Sequence, residues 1–200
     1  MLLWHVSLDG VLGVLIALVI IKAGFEMLSS PVNELLGSRI SPELISMIKT
    51  EVLAFEDVHG VYDIILHNYG PDVMIGSLHV SVYDTMSASE IHQLTRRITE
   101  TMYQRHNMVI TIGIYAIATG HSKRAGLQTL VMQTLAAHDE IVQVHGFCYY
   151  EDEHRISVDV VPDISVHDEP ALARQLTEEI QPLLPEGEKL TIVIDHNFTA

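Results

Sequence analysis

Three rhythms of apolar and polar residues follow one another along this chain, and the places where the rhythm changes mark its elements. Residues 11–21, VLGVLIALVII, show no polar face at all. Apolar side chains cover every side of the helix they would form, whereas a helix on the surface of a soluble core shows one stripe. No Lys or Arg precedes the run and no small-residue cleavage pattern follows it, so a signal peptide does not fit. A membrane-spanning helix fits, with Trp4 as an interface anchor; a buried core helix is the alternative. Residues 31–41 read as a connector, with Gly37 as the helix stop.

Beyond the connector the period becomes helical and then alternating. Ser41-Pro42-Glu43 opens a helix whose apolar face is Ile45, Ile48, Val52 and Phe55. Residues 58–83 read as a hairpin turned at residues 68–72, its second strand alternating through Leu78, Val80 and Val82. Ser87 and Glu90 form a capping box for a helix faced by Ile91, Leu94, Ile98 and Met102, and residues 108–116 form a strand. The order is α-β-β-α-β. Residues 118–126, with two glycines, read as a linker, and the plan then recurs. A helix at 127–137 is followed by a hairpin of 141–150 and 154–161 turned at Glu151-Asp152-Glu153. Leu172, Leu176, Ile180 and Leu183 then mark a helix, and residues 190–195 a strand. Sequence matches accompany the repeated order: Val58-His59-Gly60 with Val144-His145-Gly146, Leu94-Thr95 with Leu176-Thr177, and Ile110-Thr111-Ile112 with Leu190-Thr191-Ile192. The expected domains are 1–36, a membrane helix; 38–117, a first αββαβ domain; and 126–200, a second.

Composition narrows the chemistry. A formal net charge of -15, with 11 basic against 26 acidic residues, argues against a nucleic-acid surface; it fits simple solubility first and cation attraction second. One cysteine, Cys148, allows no internal disulfide, and its place between Phe147 and Tyr149 in a strand makes it a small hydrophobe rather than a nucleophile. There is no Gly-rich phosphate loop, no G-x-S-x-G elbow and no closed Cys/His cluster, so the chain does not read as an enzyme. His5 and Asp9 have a spacing that puts both on one helix face, but the segment leads directly into the folded domains.

Leu8-Asp9-Gly10-Val11-Leu12-Gly13, Gly24, Leu35-Leu36-Gly37, Pro42-Glu43-Leu44, Tyr62-Asp63, Asn68-Tyr69-Gly70-Pro71 and Leu78-His79-Val80 resemble the last membrane helix and cytoplasmic domain of cation diffusion facilitators. The resemblance covers roughly residues 7–116, with the second domain as a degenerate extra copy. It implies a proton-coupled exporter of divalent metal ions such as zinc, manganese or iron, acting as a homodimer in the cell membrane, with ferredoxin-like (metallochaperone-like) domains on the cytoplasmic side. It implies no organic cofactor, and the family's transport helices are not in this chain.

Of the family's cytoplasmic metal ligands, the first falls on Tyr62 and is lost, the second and third on His79 and His92, and the last pair near Ile112 and Ile114. In the second copy the final strand offers Asp195, flanked by His196. The carried-over metal ligands are therefore His79, His92 and Asp195. Strand alternation puts His79 on the polar face with Ser77 and Ser81, opposite the helices, so it and His92 meet only near a strand end or across a dimer. His59 and His145, each before a Gly, read as turn residues. Two other readings remain at this stage: an interaction module without metal, and a small-ligand sensor.

Overall fold

The computed structural model describes residues 8–35, 40–69 and 73–196. Trp4, His5, Gly37 and the centre of the turn at Gly70-Pro71-Asp72 lie outside them. The chain divides into two units, Met1–Arg39 and Ile40–Ala200.

Among the described residues the first unit holds one helix, α1 (Leu8–Leu35). It runs on through Pro31, so the segment read as a connector is still helical to Leu35. Gly10–Leu28 is long and apolar enough to cross a membrane, and none of it is buried. Its 19 residues span about 28 Å, close to the thickness of a bilayer's hydrocarbon core. Lys22 and Glu26 pair one turn apart at 3.6 Å, so the two charges in this span are mutually neutralised.

In the second unit the expected order is found twice. α2 (Pro42–Leu53), β1 (Gly60–Asn68), β2 (Met74–Tyr83), α3 (Ala88–His106) and β3 (Met108–Ile117) make the first half. α4 (Lys123–Leu135), β4 (Ile141–Tyr150), β5 (Arg155–Pro162), α5 (Glu169–Ile180) and β6 (Lys189–Ile194) make the second. Each half carries a three-stranded sheet, ordered β1-β2-β3 and β4-β5-β6, with the first pair antiparallel and the second parallel.

Local chemistry sets the helix starts. Ser41 accepts from the Leu44 amide ahead of Pro42, whose missing N–H costs nothing there, and the Ser87–Glu90 capping box closes as its sequence requires. Ser122 does the same for α4 by accepting from Ala125. That helix thus begins inside the stretch read as a linker: a good cap outweighs Gly126 in its second turn, which costs about 1 kcal/mol. Glu151–Glu153 is a single 3-10 turn.

Each sheet turns its alternate apolar residues to its own helices. Leu78, Val80, Val82 and Ile110 pack on Ile48, Val52, Leu94 and Ile98 in one core. Ile156, Val158, Val160 and Leu190 pack on Val131, Leu135, Leu176 and Ile180 in the other. Period-2 alternation then fixes what the opposite faces carry, and there the two halves meet. α4 is pinned to the end of β3: Gln128 accepts from the Ala118 amide at 2.8 Å, Arg124 donates to the Ala116 carbonyl at 3.3 Å, and Arg124 pairs with Asp84 at 3.8 Å.

Candidate metal centre

On the first half's free face β2 presents His79, and β3 presents Gly113 beside it and Tyr115 two residues on. Tyr62 and Asp63 lie at a bulge in β1 between Tyr62 and Ile65, and Asp63 takes the left-handed conformation with φ 51°. The bulge re-aims the Asp63 carboxylate, which would otherwise point at the apolar core. In the second half the free face carries Asp159 of β5 and, just past β6, Asp195. His145 of β4 stands opposite Asp159 at the edge of a second bulge, where Gly146 has φ 65°.

Together these faces make one polar cluster. His145, 3% exposed, sets Nε2 at 2.9 Å from Asp63 Oδ1 and 3.2 Å from Asp195 Oδ2. Its Nδ1 lies 3.1 Å from Gln143 Nε2, a donor, which leaves Nε2 as the protonated nitrogen between the carboxylates. The Tyr115 hydroxyl donates to Asp63 Oδ2 at 2.6 Å. His79 Nδ1 is 3.1 Å from the same oxygen but off the line a hydrogen bond needs, and is buried without a hydrogen-bond partner among the described residues. The rings stack: His79 on Tyr115 at 4.5 Å and Tyr62 on His145 at 5.2 Å.

Burial and close contact shift the protonation of His145, Asp63, Asp159 and Tyr115. Burial works against charge on His145, but the hydrogen bond and charge of Asp63 outweigh it and hold the imidazole above its ordinary value. Burial likewise raises Asp63, but the hydrogen bonds from His145 and Tyr115 bring it below the usual carboxylate range. Asp159 accepts no such bond from His145 or Tyr115. Burial pushes it up, with the charges of Asp195 and Asp63 adding to that against the opposing charge of His145. Tyr115 is driven strongly upward by burial and by its bond to Asp63, so its phenol stays neutral.

This donor set fits a divalent cation. One oxygen each from Asp63 and Asp195 and one nitrogen of His145 lie within 4.8 Å of one another. First-row ions bind such atoms at about 2.0–2.2 Å, which sets the ligands of a tetrahedral site about 3.3–3.6 Å apart. The 2.9 and 3.2 Å separations need only small adjustment, and an ion here would take the place of the Nε2 proton.

Of the residues expected from the sequence, Asp195 lies in the cluster and His79 beside it. His92 does not: it is exposed on α3, which packs on the opposite face of the sheet. His145 is no turn residue but a buried strand residue, and His59 precedes β1, its ring 4.0 Å from that of Tyr83. The Val-His-Gly match therefore joins positions that are not equivalent, because the register pairs Tyr62 with His79 and His145 with Asp159. The available signal was a lone acid in an apolar strand, Asp63 in VYDIIL and Asp159 in SVDVV.

Next to this cluster is a cavity of about 210 Å³, lined by Tyr62, Ser81, Tyr115, Met132 and Phe147 among others.

Residues 40–114 match the family described as the cytoplasmic domain of cation efflux proteins. An uncharacterised transporter of Methanocaldococcus jannaschii is 29% identical over 100 residues, 50% of this chain and 35% of that protein. Metal tolerance protein 2 of Oryza sativa subsp. japonica is 26% identical over 108 residues, 54% of this chain and 28% of that protein. The match thus spans about a third of these relatives' length. A solved structure of the candidate zinc transporter CzrB shares 19% identity at a TM-score of 0.35, covering 40% of this chain and 99% of that one.

Proposed function

We propose that this chain, whose residues 40–114 belong to the cation efflux cytoplasmic-domain family, is the C-terminal portion of a divalent metal cation efflux transporter whose cytoplasmic part responds to the ion it exports. Gly10–Leu28 crosses the cell membrane, and the two αββαβ halves lie on the cytoplasmic side. The whole transporter works as a homodimer and exchanges zinc, manganese or iron for protons. The observation that carries the response is the cluster of Asp63, His145 and Asp195, drawn from both halves of the folded unit.

An ion held there favours the arrangement in which β1 and β4 face each other and opposes any in which they part. Binding to that arrangement alone stabilises it by about 2.7 kcal/mol when the free ion is a hundredfold above its Kd. That free energy is enough to move a mixed population almost wholly to one side.

The test is thermal unfolding of the full chain in detergent, with zinc, manganese or EDTA, beside His145→Gln. The wild type is expected to gain several degrees from at least one metal and the variant none. Equal melting with metal and with EDTA would remove the response, and would leave the folded unit as an interaction module. The cavity beside the cluster favours a second reading, a small-ligand sensor, which the same assay separates by stabilisation with a metabolite and not with metal.

A further inference from the structure

The two halves of Ile40–Ala200 can be put in register by their own strand pairing. Tyr62 lies opposite His79 at the edge of the bulge in β1, and His145 lies opposite Asp159 at the edge of the bulge in β4. His79 pairs with Gly113 in β3 and Asp159 with Val193 in β6, so Tyr115 and Asp195, two residues on, also correspond. Asp63 and Gly146 follow Tyr62 and His145, and both have positive φ, 51° and 65°.

Set side by side, these pairs are complementary. Where the second half has the ligands His145 and Asp195, the first has Tyr62 and Tyr115. Where the first has the Asp63 carboxylate, the second has Gly146 and no side chain. Each donor of the cluster is thus present in one half and missing from its counterpart. Tyr62 also stacks on its own counterpart, His145, with ring planes 22° apart, the contact made by equivalent residues beside a local two-fold axis. The same rotation that relates the halves would carry the donors to a second place, which Tyr62 and Tyr115 occupy. A neutral phenol is a poor ligand, and the Tyr115 hydroxyl is already committed to Asp63.

We propose that one chain closes a single divalent-cation site by itself, with Asp63 from the first αββαβ half and His145 and Asp195 from the second, while Tyr62 and Tyr115 fill the equivalent place. This rests on the metal-binding reading above and adds to it that the second half takes the part a second chain would otherwise play. All three of these ligands come from one chain. Gly146 belongs to the arrangement as well: a Cβ there would run into the Asp159 carboxylate, so the bulge that aims His145 needs glycine.

The experiment is a titration of the full chain in detergent with zinc and with manganese, by calorimetry and by metal analysis after desalting, at two protein concentrations tenfold apart. The expected result is one ion per chain at equal affinity at both concentrations, weakened at least tenfold in each of Asp63→Asn, His145→Gln and Asp195→Asn. One ion per two chains, or an affinity that rises with protein concentration, would overturn closure within the chain but leave metal binding intact. Asp63→Asn binding as the wild type does would overturn the bridge between halves. No ion bound at either concentration would sink this proposal and the reading beneath it together. Stoichiometry and concentration dependence are read on the wild type, so the decision does not depend on how well a variant folds.

Discussion

Gly113 shows how closely the site is built. A Cβ at that position would collide with the His79 ring, which already stacks on Tyr115 and faces Asp63. Gly113→Ala is therefore expected to push His79 off Tyr115 and to cost about 1–3 kcal/mol, the usual range for overpacking, seen as a lower urea midpoint at unchanged slope. Asp159 carries the opposite expectation. Burial and the neighbouring carboxylates raise its folded value above the unfolded one, so the stability linked to its protonated form is present at low pH and lost as pH rises through the folded value. Asp159→Asn keeps the shape and removes the titration. It should be more stable than the wild type by about 0.5–1 kcal/mol at neutral pH, with the gap closing below the ordinary Asp value. A metal that neutralises the cluster should shrink the gap as well, and melting curves with metal and with EDTA measure both effects.

Among the elements, the ends of α2 and α3 are tied by Glu51, which accepts from Arg105 at 2.6 Å and lies 2.5 Å from His106 Nε2. The Arg105 hydrogen bond, against burial and with help from His106, lowers the Glu51 carboxyl below its ordinary value. A depressed acid contributes stability above its unfolded pKa and loses it as pH falls through the folded one. Glu51→Gln should cost about 1 kcal/mol at neutral pH and low salt, since Arg105 is largely exposed and screened. The difference from the wild type should fade below the usual Glu range and in high salt, which denaturation at several pH values would show. This pairing could not be read from the chain, because it joins residues far apart in sequence. The elements themselves could: Leu78, Val80 and Val82 announce a strand, and Ile91, Leu94, Ile98 and Met102 a helix, because one-sided burial imposes a period. The start of α4 falls within the stretch read as a linker, because two glycines there obscure the Ser122 cap. Of the cluster, Asp195 is legible in the sequence, whereas Asp63 and His145 are not, because bulges at Asp63 and Gly146 break the alternation that sequence reading depends on.

At the scale of the molecule, α1 offers a candidate membrane span. Its large residues from Val11 to Leu28 are exposed on every face, and keeping each such side chain from water is worth about 1.5–3 kcal/mol. On an insertion scale the same residues give only about 0.3–0.6 kcal/mol each, so the sum for Gly10–Leu28 amounts to a few kcal/mol and is offset in part by Lys22 and Glu26. A balance that close is sensitive to a single charge. Leu18→Arg near the middle of the span adds about 3 kcal/mol, comparable with the whole favourable sum, and should move the chain from the membrane fraction to the soluble or aggregated one. Leu183→Arg, at an exposed position in the second αββαβ half, is the control and should leave partition unchanged. Flotation with vesicles after alkaline extraction reads both variants. If Leu18→Arg floats as the wild type does, α1 is not what holds the chain to a membrane, and another contact must do so.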